Sequence, residues 1–462
     1  MQGLVSSTDT IAAIATPPGA GGIGIIRLSG PQSFAIVSRL FVPARKLSAP
    51  PARVLAYGHI AHPATGAVLD EVLVARMPAP HTYTRQDIAE IQAHGGPAVL
   101  SAILALVLDS GARLAEPGEF TRRAFLHGRI DLTQAEAVLD MITAKTSAGA
   151  LLAASHLSGA LSRAMENVAQ SLLDIRARLE ASLDFPDEVE EVDPREISSQ
   201  IYTQVIGPLE ELAARSQQGQ IYREGLRVAI AGRPNVGKSS LMNALLDRER
   251  AIVHHLPGTT RDVIEESALL CGHYMILADT AGFHPATDPV DTQGQERAKQ
   301  TIQAAQMVIL VVDASAPLDA QDLALVQSLQ DKPLIIAANK SDLLQGQTFC
   351  PPPSFGHTQC ILVSAKTRSG LTGLCKAIVS RVLGNDALPA PPEIAPSLRQ
   401  RACIQRALQI LQDGMEQFQQ NGSTELLSAD IQQALHVLGE ITGQTLSGSL
   451  LDSLFSQFCI GK

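Results

Sequence analysis

With 462 residues the chain exceeds what one hydrophobic core holds, and about two to four domains are expected. Hydrophobic content of 45% against 18% charged excludes a disordered chain, and no apolar run approaches the roughly 20 residues that cross a bilayer. The net charge of −10 excludes a broadly basic nucleic-acid binder, so any RNA contact is a local patch or is shared with a partner.

The N-terminus has no basic stretch ahead of its short apolar run Ile11–Ala15, so no secretory signal is expected. Up to about residue 122, β-like runs alternate with turns: Thr10–Ala15, Gly24–Leu28 and Val72–Ala75, then the apolar, helix-like Val99–Leu108. An α+β domain over residues 1–122 is the expectation. Gly19, Gly21 and Gly24 spell GxGxxG inside it, but a dinucleotide fingerprint needs a helix directly afterwards. Here Ile25, Ile26, Arg27 and Leu28 read as strand and stop at Gly30-Pro31, so the glycines are read as a turn. Next, Leu157, Leu161, Met165, Val168, Leu172, Ile175, Leu179 and Leu183 recur at the spacing of one helix face, ending at Phe185-Pro186. The acidic run Asp184, Asp187, Glu188, Glu190, Glu191 and Asp193 is read as a solvated loop.

From about residue 226 strands alternate with helices. Leu226–Ala231, Met275–Ala278, Val308–Val312, Leu334–Ala338 and Ile361–Val363 are short apolar runs of the fully buried kind, which predict a parallel sheet with helices on both faces. Pro389 to Pro396 reads as a linker. Helical spacing then returns at Leu408, Leu411, Met415 and Phe418, and at Ile431, Leu435 and Leu438. The expected organisation is a multidomain α/β protein: an α+β domain, then a helical domain made of 123–218 and 385–462, with a nucleotide-binding domain at 219–384 inserted in it. The six cysteines, Cys271, Cys350, Cys360, Cys375, Cys403 and Cys459, form no CxxC, which fits reduced thiols in the cytoplasm.

The inserted segment carries the chemistry. Gly232 to Ser239 reads GRPNVGKS and fits GxxxxGK[ST] between a predicted strand and the predicted helix Ser240–Leu246. Backbone N–H groups in such a loop wrap phosphates, and the following helix adds partial positive charge. Asn235, Val236, Gly237, Lys238, Ser239 and Ser240 are the phosphate-facing candidates; Lys238 reaches the β- and γ-phosphates and Ser239 binds Mg²⁺. Asp279, Thr280, Ala281 and Gly282 follow the next strand, with Asp279 as the water-mediated Mg²⁺ carboxylate and the Gly282 N–H against the γ-phosphate. Asn339, Lys340 and Asp342 end another strand, and Asp342 can accept from the guanine donors, which adenine lacks. Ser364, Ala365 and Lys366 add a backbone contact to the guanine carbonyl. Thr259 and Thr260 lie in a loop that would present a hydroxyl to Mg²⁺, Thr260 being the ligand chosen. All of these in order, at strand ends, imply a GTP site and GTP hydrolysis.

Beyond those motifs, Asp9 to Gly19, Gly24 to Gly30, His94 to Pro97, Pro117 to Phe120, Asp131 to Glu136 and the terminal Phe458-Cys459-Ile460-Gly461-Lys462 resemble the tRNA uridine-5-carboxymethylaminomethyl modification GTPase family, MnmE (TrmE). The similarity runs over essentially the whole chain in the family's order. It implies that residues 1–122 form a dimerising domain with a folate-binding fold, taking a one-carbon tetrahydrofolate in the 5,10-methylene or 5-formyl form. It implies a homodimer that joins a flavoprotein, MnmG (GidA), in a heterotetramer, with FAD and NADH in that partner only and no membrane involved. Together they would add an aminomethyl or carboxymethylaminomethyl group at C5 of the wobble uridine of certain tRNAs.

The resemblance also assigns residues. Asn235 would ligate K⁺ through its side chain, with backbone carbonyls at His254, Leu256 and Thr259 completing the set and His254 and Thr259 also beside the nucleotide. Phe283 stands where Ras-like GTPases have a water-orienting glutamine and no cis arginine finger is evident, so K⁺ between face-to-face G domains would supply the missing charge. The family's water-activating glutamate matches Asp291, one methylene shorter; Glu296 is another acid that could substitute, though it reads first as a surface helix residue. The folate residues match Arg27, Gln86, Arg129 and Lys462, with an amide at Gln86 in place of the family's carboxylate. Cys459 has two readings: a small buried apolar side chain, or a thiolate nucleophile beside the folate.

Two other classes compete. A ribosome-assembly GTPase switch of the Era-like kind predicts an RNA-binding domain and basic patch, which the sequence does not display, and leaves the first 122 residues without a role. A folate methyltransferase with a vestigial nucleotide domain conflicts with the intact motifs.

Overall fold

A computed structural model describes residues 9–44, 52–185, 187, 193–247, 265–270, 273–279, 298–329, 332–344, 348–352, 355, 358–383, 392–445 and 448–462. They fall into two compact units, one made of Met1–Ile142, Ala154–Ala213 and Arg399–Lys462, the other of Thr143–Ala153 and Ala214–Leu398.

The first unit starts as a sheet of β1 (Ile11–Ile14), β2 (Gly21–Ser29), β3 (Phe41–Pro43), β4 (Ala56–Ala61), β5 (Val68–Met77), β6 (Ile88–Gly95) and β7 (Arg113–Leu114), in the order β3-β4-β5-β6-β2-β1-β7. Pairing is antiparallel except between β1 and β7. Side chains alternate across a strand, so Ile26 and Leu28 of β2 and Ala89 and Ile91 of β6 enter the core with α1 (Ser33–Leu40) and α2 (Pro97–Asp109). Arg27 and Glu90 fall between them, and the register sets Arg27 opposite Glu90 on the other face. The glycines of GxGxxG lead into β2, not into a helix, as expected.

Next come α3 (Glu119–Leu126), α4 (Leu132–Thr143), α5 (Ser147–Leu157) and α6 (Ala160–Asp184). The predicted single helix face from Leu157 to Leu183 needs correction. Gly159 adopts a left-handed φ of 86°, so α5 stops at Leu157 and α6 starts afresh at Ala160. Leu161, Met165, Val168, Leu172, Ile175 and Leu179 are the buried stripe, and Leu183 is exposed. Asp193 caps α7 (Pro194–Ile201) by accepting from the Arg195 N–H. A short π-helical stretch, Tyr202–Ile206, leads to α8 (Gly207–Glu224). Glu188, Glu190 and Glu191 of the acidic run lie outside the described residues.

The second unit holds β8 (Leu226–Ala231), α9 (Lys238–Leu246), β9 (Glu265–Leu270), β10 (His273–Asp279), β11 (Met307–Asp313), α10 (Ala320–Ser328), β12 (Leu334–Asn339), β13 (Gln359–Leu362) and α11 (Leu371–Leu383). Its sheet runs β13-β12-β11-β8-β10-β9. The five predicted strands pair in parallel, and the sheet carries one further strand at its edge, β9, which pairs antiparallel with β10. That strand reads EESALL and has no β-branched residue, so the sequence carries no strand signal there. Val228 and Ile230 face one core with Leu241, Leu245, Leu374 and Ile378, and Ala229 and Ala231 face another with Ile302 and Val326. Burial on both faces is why these strands read as unbroken apolar runs.

Pro389–Pro391 of the expected linker lie outside the described residues, and residues 392–397 form no helix or strand. Three helices then complete the first unit: α12 (Leu398–Asn421), α13 (Thr424–Thr442) and α14 (Gly448–Phe455). Leu408, Leu411, Met415 and Phe418 are buried, as are Ile431 and Leu438, while Leu435 is partly exposed. The chain is thus a multidomain α/β protein in which helical segments of the first unit flank an α/β unit inserted between them.

Candidate functional site

The loop after β8 is shaped by its glycines and by Asn235. Asn235 takes a left-handed φ of 65° and Gly237 one of 97°, and α9 begins at Lys238, two residues before the predicted start. A Cβ at Gly237 would collide with the side-chain amide of Asn339, so only glycine fits where these loops meet. Lys238 is half-buried and its Nζ donates to the carbonyls of Gly232 and Arg233 at 2.9 Å each. Burial pushes its ammonium below the usual lysine range, and the Asp279 carboxylate opposes that shift.

The Ser239 hydroxyl donates to Asp279 Oδ2 at 2.8 Å. Asp279 is 9% exposed, and its Oδ1 is buried without a hydrogen-bond partner among the described residues. A buried, unsatisfied carboxylate oxygen beside a hydroxyl fits a hydrated Mg²⁺, whose ligands are hard oxygens. Among the described residues no cluster of three or more His, Cys, Asp or Glu offers another metal site.

On the same edge of the sheet, at the end of β12, Asn339 joins two loops: its Nδ2 donates to the Val236 carbonyl and its Oδ1 accepts from the Ala365 N–H, both at 3.0 Å. Ser364 is fully buried; its hydroxyl donates to Asp342 Oδ1 at 2.6 Å and accepts from the Thr367 N–H. Asp342 is therefore oriented by Ser364 while remaining exposed, as are Asn235, Ser239, Ser240 and Lys366. Lys340 has a φ of 65° and pairs with Asp313 at 2.6 Å. Burial pushes the Asp313 carboxyl up, but Lys340 and the donors of Ser315 outweigh it and hold it below the usual carboxylate range. The structure thus brings together the predicted residues of β8–α9, β10, β12 and the 364–366 loop. His254, Leu256, Thr259, Thr260, Thr280, Ala281, Gly282, Phe283, Asp291 and Glu296 lie outside the described residues.

Sequence reasoning passed over Arg233, whose guanidinium pairs with Asp319 and, at 2.7 Å, with the fully buried Asp322. Asp319 and Asp322 form the capping box of α10. The phosphate loop is tied through Arg233 to the start of that helix.

A second candidate site lies in the first unit, a cavity of about 590 Å³ lined by Arg27, Tyr83, Glu90, Arg129, Gln134 and Lys462 together with apolar side chains such as Val138 and Met141. Arg27 pairs with Glu90 at 2.8 Å. The Arg129 guanidinium lies 4.7 Å from the centre of the Tyr83 ring and donates to the Tyr83 carbonyl. Burial pushes the Tyr83 phenol up, with Thr121, Arg129 and Arg27 opposing it. Cationic edges over an apolar floor suit a flat, polar, anionic ligand.

Gln86 does not line this cavity. Its amide oxygen accepts from Ser29 at 3.0 Å and from Arg123 at 3.1 Å, so the side chain is already committed. The carboxylate in the cavity is Glu90, and a signal for it existed: a charge set between Ala89 and Ile91 in an apolar strand points to the opposite face of the sheet. Cys459 is exposed, so its reading as a small buried side chain does not hold.

Two family models match the chain: the MnmE helical domain over residues 132–459 and the GTP-binding protein TrmE N-terminus over residues 10–129. A protein of Moorella thermoacetica named tRNA modification GTPase MnmE is 46% identical over 461 residues, covering 98% of this chain and 99% of that one. Its namesake in Chloroflexus aurantiacus is 46% identical over 98% of this chain and 100% of its own length. This chain belongs to the MnmE family. A third relative of the same name, from Desulfotalea psychrophila, is 43% identical over 99% of both chains. MnmE relatives thus match the chain along both units, and no helix among the described residues is long and apolar enough to cross a membrane.

Proposed function

We propose that the chain hydrolyses GTP in the service of tRNA modification. The observation that carries this reading is the convergence of Lys238, Ser239, the buried Asp279 carboxylate and the Asn339–Asp342–Ser364 group on the strand ends of one sheet, in a chain whose full-length relatives are named tRNA modification GTPases. Lys238 and the loop N–H groups hold phosphate, Asp342 accepts from the guanine donors, and Ser239 with Asp279 would hold Mg²⁺, which when bound neutralises charge on the β- and γ-phosphates. Hydrolysis of GTP at least tenfold preferred over ATP, together with loss of the wobble-uridine modification in a deletion strain read by nucleoside mass spectrometry, is the expected outcome. Intact modification in that strain overturns the tRNA assignment.

The finer reading assigns residues 1–122 to a folate-binding and dimerising domain, 123–218 and 385–462 to a helical domain, and 219–384 to the GTPase domain. Arg27, Arg129 and Lys462, with Glu90 rather than Gln86, hold a one-carbon tetrahydrofolate; their joint lining of one cavity supports this. GTP hydrolysis is activated by K⁺ at Asn235 and by pairing of GTPase domains in a homodimer. A flavoprotein of the MnmG kind, carrying FAD and using NADH, is the cytoplasmic partner. Nucleophilic work on the folate's one-carbon unit is assigned to Cys459, which is exposed and stands three residues before Lys462. Hydrolysis in KCl is expected to exceed that in NaCl at equal ionic strength, and equal rates remove the K⁺ assignment.

A further inference from the structure

Pro117–Phe120 has no part in the chemistry above, yet the fold brings it against the last residues of the chain. Gly118 precedes α3 with a φ of 67°, and its N–H donates to the Cys459 carbonyl at 3.4 Å. A Cβ at Gly118 would stand 2.7 Å from the Phe455 carbonyl oxygen and 3.0 Å from the Phe458 Cβ. The Phe120 N–H donates to the backbone oxygen of Lys462 at 3.2 Å. Gly461, with a φ of 97°, passes the end of β1 so closely that a Cβ would meet the Ile14 carbonyl. The tail therefore lies so close that a side chain is excluded at one point beneath it, Gly118, and at one point on the tail itself, Gly461.

The start of α3 is itself fixed from within. The Glu119 carboxylate is 7% exposed and accepts from Arg113 at 2.7 Å, from Arg123 at 2.9 Å and from the Glu116 N–H at 2.8 Å. Asp9 accepts from both arginines and closes the ring of charges. Burial pushes the Glu119 carboxyl up, and these donors together hold it below the usual range. Phe120 carries this rigidity into the cavity twice: its N–H holds Lys462, and its ring lies 5.9 Å under the Arg27 guanidinium.

We infer that Pro117–Phe120 is a cradle for the chain's last residues, and that Glu119 is a positioning residue for the cavity. A segment that is not tied down frays, and a lysine on a frayed segment loses much of its binding contribution to ordering entropy. The cradle removes that loss by fixing where the Lys462 backbone stands. The coupling to ligand binding rests on the proposed folate reading; the cradle does not.

The test uses the full chain and two variants, Gly118→Ala and Glu119→Gln, with hydrogen exchange of residues 456–462 by mass spectrometry and calorimetry with 5-formyltetrahydrofolate. Hydrogen exchange of the β2 and β6 amides serves as the control that the first unit is folded, and basal GTP hydrolysis as the control for the second. In Gly118→Ala the tail amides are expected to exchange about tenfold faster and folate affinity to fall about tenfold, with smaller changes of the same sign in Glu119→Gln and unchanged hydrolysis in both. Unchanged tail exchange in both variants overturns the cradle. Faster exchange with unchanged affinity overturns Glu119 as a positioning residue. A wild-type chain that binds no folate removes the folate reading, and the exchange measurement still decides the cradle.

Discussion

The phosphate loop and the Arg27 cavity, each proposed to hold an anionic ligand, are built in opposite ways. The loop takes its groups from the ends of β8, β10 and β12, close to the motifs that announce them, and neighbouring backbone supplies most of the geometry. The cavity takes Arg27 from β2, Glu90 from β6, Arg129 from the turn before α4 and Lys462 from the last residues, and no local chemical motif like the phosphate loop declares their roles; only the family resemblance does. A contiguous site tolerates change elsewhere in the chain, whereas a dispersed site depends on every element that brings its members together.

The sharpest way to break this contrast is to remove Lys238. Lys238→Ala is expected to lower GTP hydrolysis by at least about a hundredfold while 5-formyltetrahydrofolate affinity, measured by calorimetry, stays within twofold of wild type. A parallel loss of folate binding means that the two sites are not separable. Next in size is Arg123→Met. It leaves the buried Glu119 carboxylate short of a partner, and removing one member of a buried ion pair costs about 3–5 kcal/mol. Urea unfolding followed by a probe in the first unit should show that loss, and a cost below about 1 kcal/mol would mean that Arg113 alone satisfies Glu119.

Glu90→Gln tests the dispersed site directly. Folate affinity is expected to drop about tenfold with the Arg27 partner gone, whereas Gln86→Ala leaves it within about twofold. The reverse ranking would restore the sequence-based assignment of Gln86.

The smallest effect concerns pH. Glu119 and Asp313 are both held below the usual carboxylate range, so each adds stability that is complete above that range and is lost as pH falls through the lowered value. Asp313→Asn should flatten the acid-side decline of the melting temperature of the α/β unit, and Glu119→Gln that of the other unit. An unchanged decline in either variant assigns the acid sensitivity of that unit to other carboxylates.

The same contrast explains what the sequence made legible. The buried strands β8, β11 and β12 were visible because burial on both faces forces an unbroken apolar run, and the phosphate loop because backbone chemistry dictates its glycines. Strand β9 was not, since EESALL draws its strand character from pairing with β10 and not from its own residues. The break at Gly159 hid inside a periodicity that continues in phase from α5 into α6. Gln86 and Glu90 sit four positions apart and share strand parity, so alternation cannot separate them; β6 begins only at Ile88, which leaves Gln86 ahead of the strand, bonded to Ser29 and Arg123. The resemblance to the MnmE family supplied what local pattern could not, namely that the far end of the chain belongs with its beginning.

Asn339 has a consequence of another kind. One amide spans the Val236 carbonyl and the Ala365 N–H, so the loop proposed to hold phosphate and the loop proposed to hold the base cannot move apart independently. On the proposed GTP reading, that tie would act as a gauge for the length of a nucleoside. A ligand with the right base and the right phosphates, but a longer or shorter linkage between them, would then be disfavoured by dimension, before any hydrogen bond to guanine is counted.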